Sequence, residues 1–364
     1  MGLLLKEIRH NPLLWLLGFV PVLFASYIFR PERHGALFVL SVLSIVPLAV
    51  LISLSTESVA AKTGDTIGGL LNATLGNLTE LIVALTALKA GQIVLVKSSL
   101  AGAIVAKTLV TLGASLLIGG LVHHIQEYNR ANARLQGSLL FLATIAFLVP
   151  SLVAPPGSVL DAAPSIGTIS LALSVLLFVA YGFGMFFSLH THREVFASVT
   201  VAPAHGELWP AGFAVAVLAV VTVVVTLVSD IFVDSVQYAG AAFGMTPAFV
   251  GFIVVALVNG IAELAPALSS ARKNRLDLSI GIALGGASQI TLFVAPALVF
   301  VSYFVGPAPM TLQFWPGAVA MILIAAVTAI LVTNSGRSAW FVGVLLINVY
   351  LIFAVALYLL PAPQ

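Results

Sequence analysis

The sequence predicts an all-α polytopic membrane protein of about 11 transmembrane helices, built as two inverted five-helix repeats after an extra N-terminal helix. Three observations lead there. Of 364 residues, 60% are hydrophobic and 8% charged, against roughly 25% charged in an average soluble domain, and the mean hydropathy is +1.15. The apolar runs recur along the chain at lengths close to the ~20 residues a helix needs to cross ~30 Å of hydrocarbon. They are also continuous, whereas the strands of a membrane barrel alternate over about 10 residues. In lipid, a helix satisfies its own backbone, and irregular backbone is tolerated only around a cavity.

In chain order the runs fall at 13–29, 35–55, 66–88, 93–121, 137–154, 165–189, 208–229, 246–270, 277–305, 314–332 and 339–360. The first follows Lys6, Arg9 and His10, and no small-residue cleavage site closes it, so it reads as a retained helix within a segment 1–34. The next five make a first repeat, 35–190, in which the helix bearing Glu80 is followed by the small-residue stretch Ser98-Ser99-Leu100-Ala101-Gly102-Ala103. A polar linker, 191–207, follows. In the second repeat, 208–364, Glu263 is followed by Gly281-Ile282-Ala283-Leu284-Gly285-Gly286-Ala287-Ser288-Gln289. Five is an odd number, so the repeats enter the membrane in opposite senses, an arrangement that puts a substrate site near the midplane where they meet.

Basic residues set the orientation. With the N-terminus cytoplasmic, inner segments carry Lys6, Arg9, Lys62, Arg130, Arg134, Arg193, Arg272, Lys273, Arg275 and Arg337, and outer ones only Arg30, Arg33, Lys89 and Lys97. The positive-inside rule then places the C-terminus outside, in the plasma membrane of a bacterium. The net charge of +2 forms no patch suited to nucleic acid. The absence of cysteine removes disulfides and thiol catalysis.

Two carboxylates stand out. Glu80 in Gly76-Asn77-Leu78-Thr79-Glu80 and Glu263 in Asn259-Gly260-Ile261-Ala262-Glu263 lie midway along otherwise uncharged runs. Such a group costs on the order of 3 kcal/mol or more at bilayer depth, so it points to a task. Residues four apart share a helix face, which lines up Asn72, Gly76 and Glu80 in one stripe and Asn259 with Glu263 in another. Asn72, Asn77, Asn259 and Gln289 add oxygen donors, with Thr79 and Ser288 as modulators beside them. Pro266 and Pro296 lack an N–H and so release the carbonyls of Ala262 and Leu292. Glu57 reads equally as a solvated helix end or a pathway carboxylate, and Asp230 and Asp234 read as loop residues beyond the seventh helix. The histidines show no metal-ligand spacing.

The run Gly68-Gly69-Leu70-Leu71-Asn72-Ala73-Thr74-Leu75-Gly76-Asn77-Leu78-Thr79-Glu80 closely resembles the first repeat signature of the calcium/proton exchangers of the cation/Ca²⁺ exchanger superfamily. Phe187-Ser188-Leu189-His190-Thr191-His192, Phe249-Val250-Gly251, Ser288-Gln289-Ile290, Phe293-Val294-Ala295-Pro296 and Ser335-Gly336-Arg337-Ser338-Ala339-Trp340 are similar to further stretches of that family. The resemblance implies eleven helices, inverted repeats, and Glu80 and Glu263 as the groups that bind metal or protons in turn. The chain departs from the family at Asn259-Gly260, where the usual order is Gly-Asn, and at Leu264 in place of His. Ala106 and Lys107 stand in place of Ser-Asn, and Ala103, Gly286 and Ala287 replace hydroxyl residues.

Charge accounting then gives a mechanism. One divalent cation or two protons neutralise two carboxylates equally, so a carrier that moves only when neutral exchanges one for the other. The expected partners are a cation substrate, most simply Ca²⁺, together with protons and the lipid bilayer, with no resident cofactor. Lys107 is expected either to pair with Glu57 or Glu80 or to tune the site to a monovalent ion, which keeps a Na⁺ or K⁺/H⁺ antiporter as the alternative. A channel fits paired halves in one chain less well. An enzyme is disfavoured, since the chain holds no His-Glu-x-x-His, phosphate-binding loop or cysteine nucleophile.

Overall fold

The protein, described here as a computed structural model, is defined for residues 2–63, 68, 71–72, 74–153, 164–192, 208–242 and 244–359. Arg193, Glu194, His205 and Glu207 of the linker lie outside the described residues, as do Gly69, Leu70 and Ala73 of the first signature. A short amphipathic helix α1 (Gly2–His10) leads into α2 (Pro12–Phe29), α3 (His34–Ala60) and α4 (Leu78–Lys89). The chain continues with α5 (Ile93–His123), α6 (Arg130–Val153), α7 (Ser165–Thr191) and α8 (Ala211–Ala242). It ends with α9 (Pro247–Arg272), α10 (Leu276–Ser302), α11 (Pro316–Thr333) and α12 (Trp340–Leu359). Among the described residues, ten of these helices are long and apolar enough to cross a membrane. The chain is an integral membrane protein.

The third expected run, 66–88, is not one helix. It is interrupted by a turn at Gly76 and Asn77, and α4 starts afresh at Leu78. Gly costs about 1 kcal/mol in a helix interior relative to Ala, and Asn is a weak helix former, so the pair yields where packing rewards a break. The break leaves the first-turn N–H groups of α4 without carbonyl partners and places Glu80 in that turn, where the positive end of the helix dipole favours a carboxylate. Helix α8 outruns its expected end at 229 and continues to Ala242, so Asp230 and Asp234 lie on a helix rather than in a loop.

An element the composition hides is a two-stranded antiparallel ribbon. Strand β1 (Ile125–Glu127) pairs with β2 (Arg337–Ala339), with Gln126 opposite Ser338. Beside it, Gln126 Nε2 donates to the Ala271 carbonyl at 2.8 Å and to Asn274 Oδ1 at 3.0 Å, and the Asn129 N–H donates to the Asp277 carboxylate. Loops from both halves of the chain are thereby locked together at one end of the bundle. The exposed Arg337–Glu127 pair at 2.7 Å adds little to this, since such pairs contribute about 0–1 kcal/mol.

Close helix crossings bring the two halves together. A Cβ on Gly102 of α5 would overlap the backbone of Phe252 on α9, and one on Gly251 would sit 2.6 Å from the Ser98 Cβ. Small residues here let the backbones touch, the usual means of helix association in lipid. Wide π turns interrupt α5 at Ala106–Thr111, α9 at Val250–Val255 and α10 at Gly281–Gly285 and Ile290–Val294. Such turns are rare and concentrate at functional sites because they re-aim side chains within a helix.

Candidate functional site

The break before α4, the π turn in α5 and the α5–α9 crossing place three charged groups at one point. Lys107, carried on the π turn, is 1% exposed. Its Nζ lies 2.5 Å from Glu263 Oε1 on α9 and 3.4 Å from Glu80 Oε1 on α4. It also donates to Asn77 Oδ1 at 3.1 Å, and Asn77 Nδ2 donates in turn to Gln289 Oε1 on α10 at 2.8 Å. The cluster therefore draws on four helices. Two carboxylates face one ammonium, which leaves a single formal negative charge.

Lone charges taken out of water cost several kcal/mol each, and only mutual attraction with well-placed hydrogen bonds offsets that. Here the offset is incomplete: among the described residues, Glu263 Oε2 and Asn259 Oδ1 are buried oxygens without a hydrogen-bond partner. Unpaired buried acceptors on one helix face suit a positive guest. Glu263 remains the accessible member of the cluster, with 19% of its side chain exposed against 7% for Glu80. Further along α9, Ala265, Leu268, Ser269, Arg272 and Lys273 line a cavity of about 370 Å³ at the ribbon end. Toward the opposite end, Ile82, Val83, Ala84, Ala87 and Leu88 of α4 are all buried.

The structure thus joins Glu80, Glu263, Asn77, Gln289 and Lys107. Asn259 sits one turn before Glu263, 5% exposed. Other expected site residues stand apart. Asn72 is exposed before the break and makes no side-chain hydrogen bond to the cluster, because the turn at Gly76 ends the helical register that would have aligned it with Glu80. Ser288 donates to the Gln136 carbonyl on α6 at 3.0 Å and serves helix packing. Thr79 is buried, with no hydrogen bond to the cluster. Glu57 accepts from Ser53 Oγ at 3.5 Å; of the two partners expected for Lys107, Glu57 or Glu80, the structure supplies Glu80 at 3.4 Å, with the unexpected Glu263 nearer at 2.5 Å.

A residue the sequence pattern underrated is Gly286. A Cβ there would meet Glu263 Oε2 at 3.0 Å, Lys107 Cδ at 3.1 Å and Nζ at 3.2 Å. The missing side chain makes the room Lys107 occupies. A signal was present: Lys107 and Gly286 both depart from the family pattern, one larger and one smaller than expected. Gly286→Ala is expected to destabilise the protein by about 1 kcal/mol beside Lys107 and by less beside Lys107→Asn. Thermal unfolding of the four proteins in detergent measures that coupling, and strict additivity would separate the two positions.

Residues 34–190 and 213–359 each match the family described as sodium/calcium exchanger protein. A Ca²⁺/H⁺ antiporter of Aphanothece halophytica is 33% identical over 363 residues, covering 95% of this chain and 96% of the relative. The Ca²⁺/H⁺ antiporter ChaA of Bacillus subtilis is 37% identical over 331 residues, covering 90% and 93%. Among solved structures, native YfkE superposes with a TM-score of 0.82 at 31% identity, covering 95% of this chain and 98% of that one. The H⁺/Ca²⁺ exchanger CAX has a TM-score of 0.72 at 18% identity, covering 96% and 88%, which speaks to the fold alone. With both halves matched and this identity sustained nearly end to end, the chain belongs to the sodium/calcium exchanger protein family.

Proposed function

We propose that this protein is a secondary antiporter that exchanges Ca²⁺ for protons by alternating access, with Glu80 and Glu263 as the groups that hold either. The observation that carries the reading is the convergence of one carboxylate from each matched stretch on a single buried positive charge, Lys107 Nζ. The relatives named as Ca²⁺/H⁺ antiporters support the choice of cation. Ca²⁺ takes roughly six to eight hard oxygens at about 2.3–2.6 Å. Glu80, Glu263, Asn259, Asn77 and Gln289 offer such atoms, completed by water. When the cation leaves, protons neutralise the same oxygens, so the two guests exclude each other and transport is coupled.

Each matched stretch holds five of the helices above, α3–α7 and α8–α12. An odd count supports inverted repeats rocking about a central site. The ribbon end gathers Arg130, Arg272, Lys273, Arg275 and Arg337, which supports a cytoplasmic ribbon, a cytoplasmic N-terminus and a plasma-membrane location. The partial exposure of the Glu263 side chain, 19% against 7% for Glu80, and the cavity along α9 support an inward-facing state.

Lys107 favours a second reading. With its ammonium in place the site has one net negative charge, which a monovalent ion balances, so Na⁺ or K⁺ exchange for protons is the alternative. Inside-out vesicles carrying a proton gradient decide between them: Ca²⁺, Mg²⁺, Na⁺ and K⁺ are added in turn and collapse of the gradient is followed. Ca²⁺ is expected to collapse it, and Glu80→Gln or Glu263→Gln to slow that by about a hundredfold, equivalent to ~3 kcal/mol. Collapse by Na⁺ or K⁺ alone would favour the second reading. Cation flux without any proton gradient would mean a channel.

A further inference from the structure

A second pair of carboxylates gathers at the far end of α4. Thr86 and Lys89 in its last turn, with Asp230 and Asp234 one turn apart on α8, line a cavity of about 190 Å³. Gln92 Nε2 donates to the Val233 carbonyl at 2.9 Å and pins the two helices beside it. Both aspartates are exposed. Lys89 forms no ion pair within 4.0 Å with either of them.

Thr86 is what makes this more than an acidic surface. The residue is only 8% exposed, yet among the described residues its hydroxyl has no hydrogen-bond partner. A helical Thr ordinarily bonds back to the carbonyl four residues earlier, as Thr108, Thr144 and Thr222 do here. Thr86 instead lines the cavity between α4 and the two aspartates. The C-terminal end of α4 adds partial negative charge to the same space, which favours a cation there.

We propose that this pocket is a waiting site for a hydrated divalent cation on the membrane face opposite the ribbon. Two hard carboxylates and a hydroxyl supply part of the oxygen shell, and water supplies the rest. Lys89 lowers the net charge to a single negative, which keeps binding weak and the ion transferable. The ion's destination is Glu80, about 9 Å along α4 from Thr86 at 1.5 Å per residue. In this structure the buried Ile82, Val83 and Ala84 close the way between them. The inference deepens the exchange reading and rests on it for the direction of travel.

The test is the double variant Asp230→Asn/Asp234→Asn in sealed vesicles of both orientations. Losing a focusing charge pair is expected to raise the apparent KM for Ca²⁺ about five- to tenfold from the pocket's face and to leave it at the parent value from the ribbon face. No change at the pocket's face, or an equal change at both, overturns the proposal. A parent protein that fails to exchange Ca²⁺ would count against the exchange reading instead, so binding is also read directly. In the Glu80→Gln/Glu263→Gln/Lys107→Gln background, Mn²⁺ titration followed by electron paramagnetic resonance is expected to show one remaining weak site. That site should disappear when Asp230→Asn/Asp234→Asn is added. Absence of the remaining site, or its survival after the aspartates are replaced, overturns the pocket whatever the protein transports.

Discussion

Lys107→Asn is expected to lower the apparent KM for Ca²⁺ at least about tenfold, the equivalent of ~1.4 kcal/mol. The ammonium sits 2.5 Å from Glu263 Oε1 and 3.4 Å from Glu80 Oε1, so a cation bound to those oxygens lies within a few ångström of it. Two unit charges at 4 Å repel by roughly 4 kcal/mol at an effective dielectric of 20, and a divalent ion doubles that. Part of the cost is avoided if the four-carbon stem swings the head aside, which is why tenfold is a lower bound. The amide that replaces the amine contributes an oxygen and no charge. The same change should shift preference toward Ca²⁺ over Na⁺, because the net charge of the site moves from one negative to two. Initial rates of gradient collapse against concentration, for both cations, measure this. Unchanged values for both would remove Lys107 from the transport site.

The fold was legible because it is written in long apolar runs, whose length and continuity admit one solution in lipid. The carboxylates were legible for the same reason, since Glu80 and Glu263 interrupt those runs at a cost that needs a cause. Features that depend on where helices touch were not. Asn72 shares a helical stripe with Glu80 only if the helix is continuous, and the turn at Gly76 and Asn77 breaks that stripe. The break costs local helix propensity and is stabilised by tertiary contacts that no periodicity records. The ribbon of Ile125–Glu127 with Arg337–Ala339 joins segments some two hundred residues apart, and three-residue strands leave too short a pattern to read. Lys107 was visible as an anomaly, but its partner was not: whether it meets Glu57, Glu80 or Glu263 depends on the π turn at Ala106–Thr111 and on the close crossing of α5 and α9.

Removing both carboxylates while keeping the lysine should have the largest effect on stability. In Glu80→Gln/Glu263→Gln the Lys107 ammonium, 1% exposed, is left with only amide oxygens around it. A buried charge stripped of its partners costs about 3–5 kcal/mol, whereas replacing a whole buried ionic cluster with neutral groups of similar shape is often neutral or stabilising. The double variant is therefore expected to unfold at a clearly lower temperature in detergent, and adding Lys107→Gln to recover most of the loss. Transport should not recover with it, since the central site of the triple variant has no carboxylate to hold a cation. Recovery of stability without transport would mean that the triad is kept for its guest and not for the fold. If the triple variant is as unstable as the double, the three side chains do not act as one charge cluster, and the account of Glu263 Oε2 as an acceptor awaiting a cation fails with it.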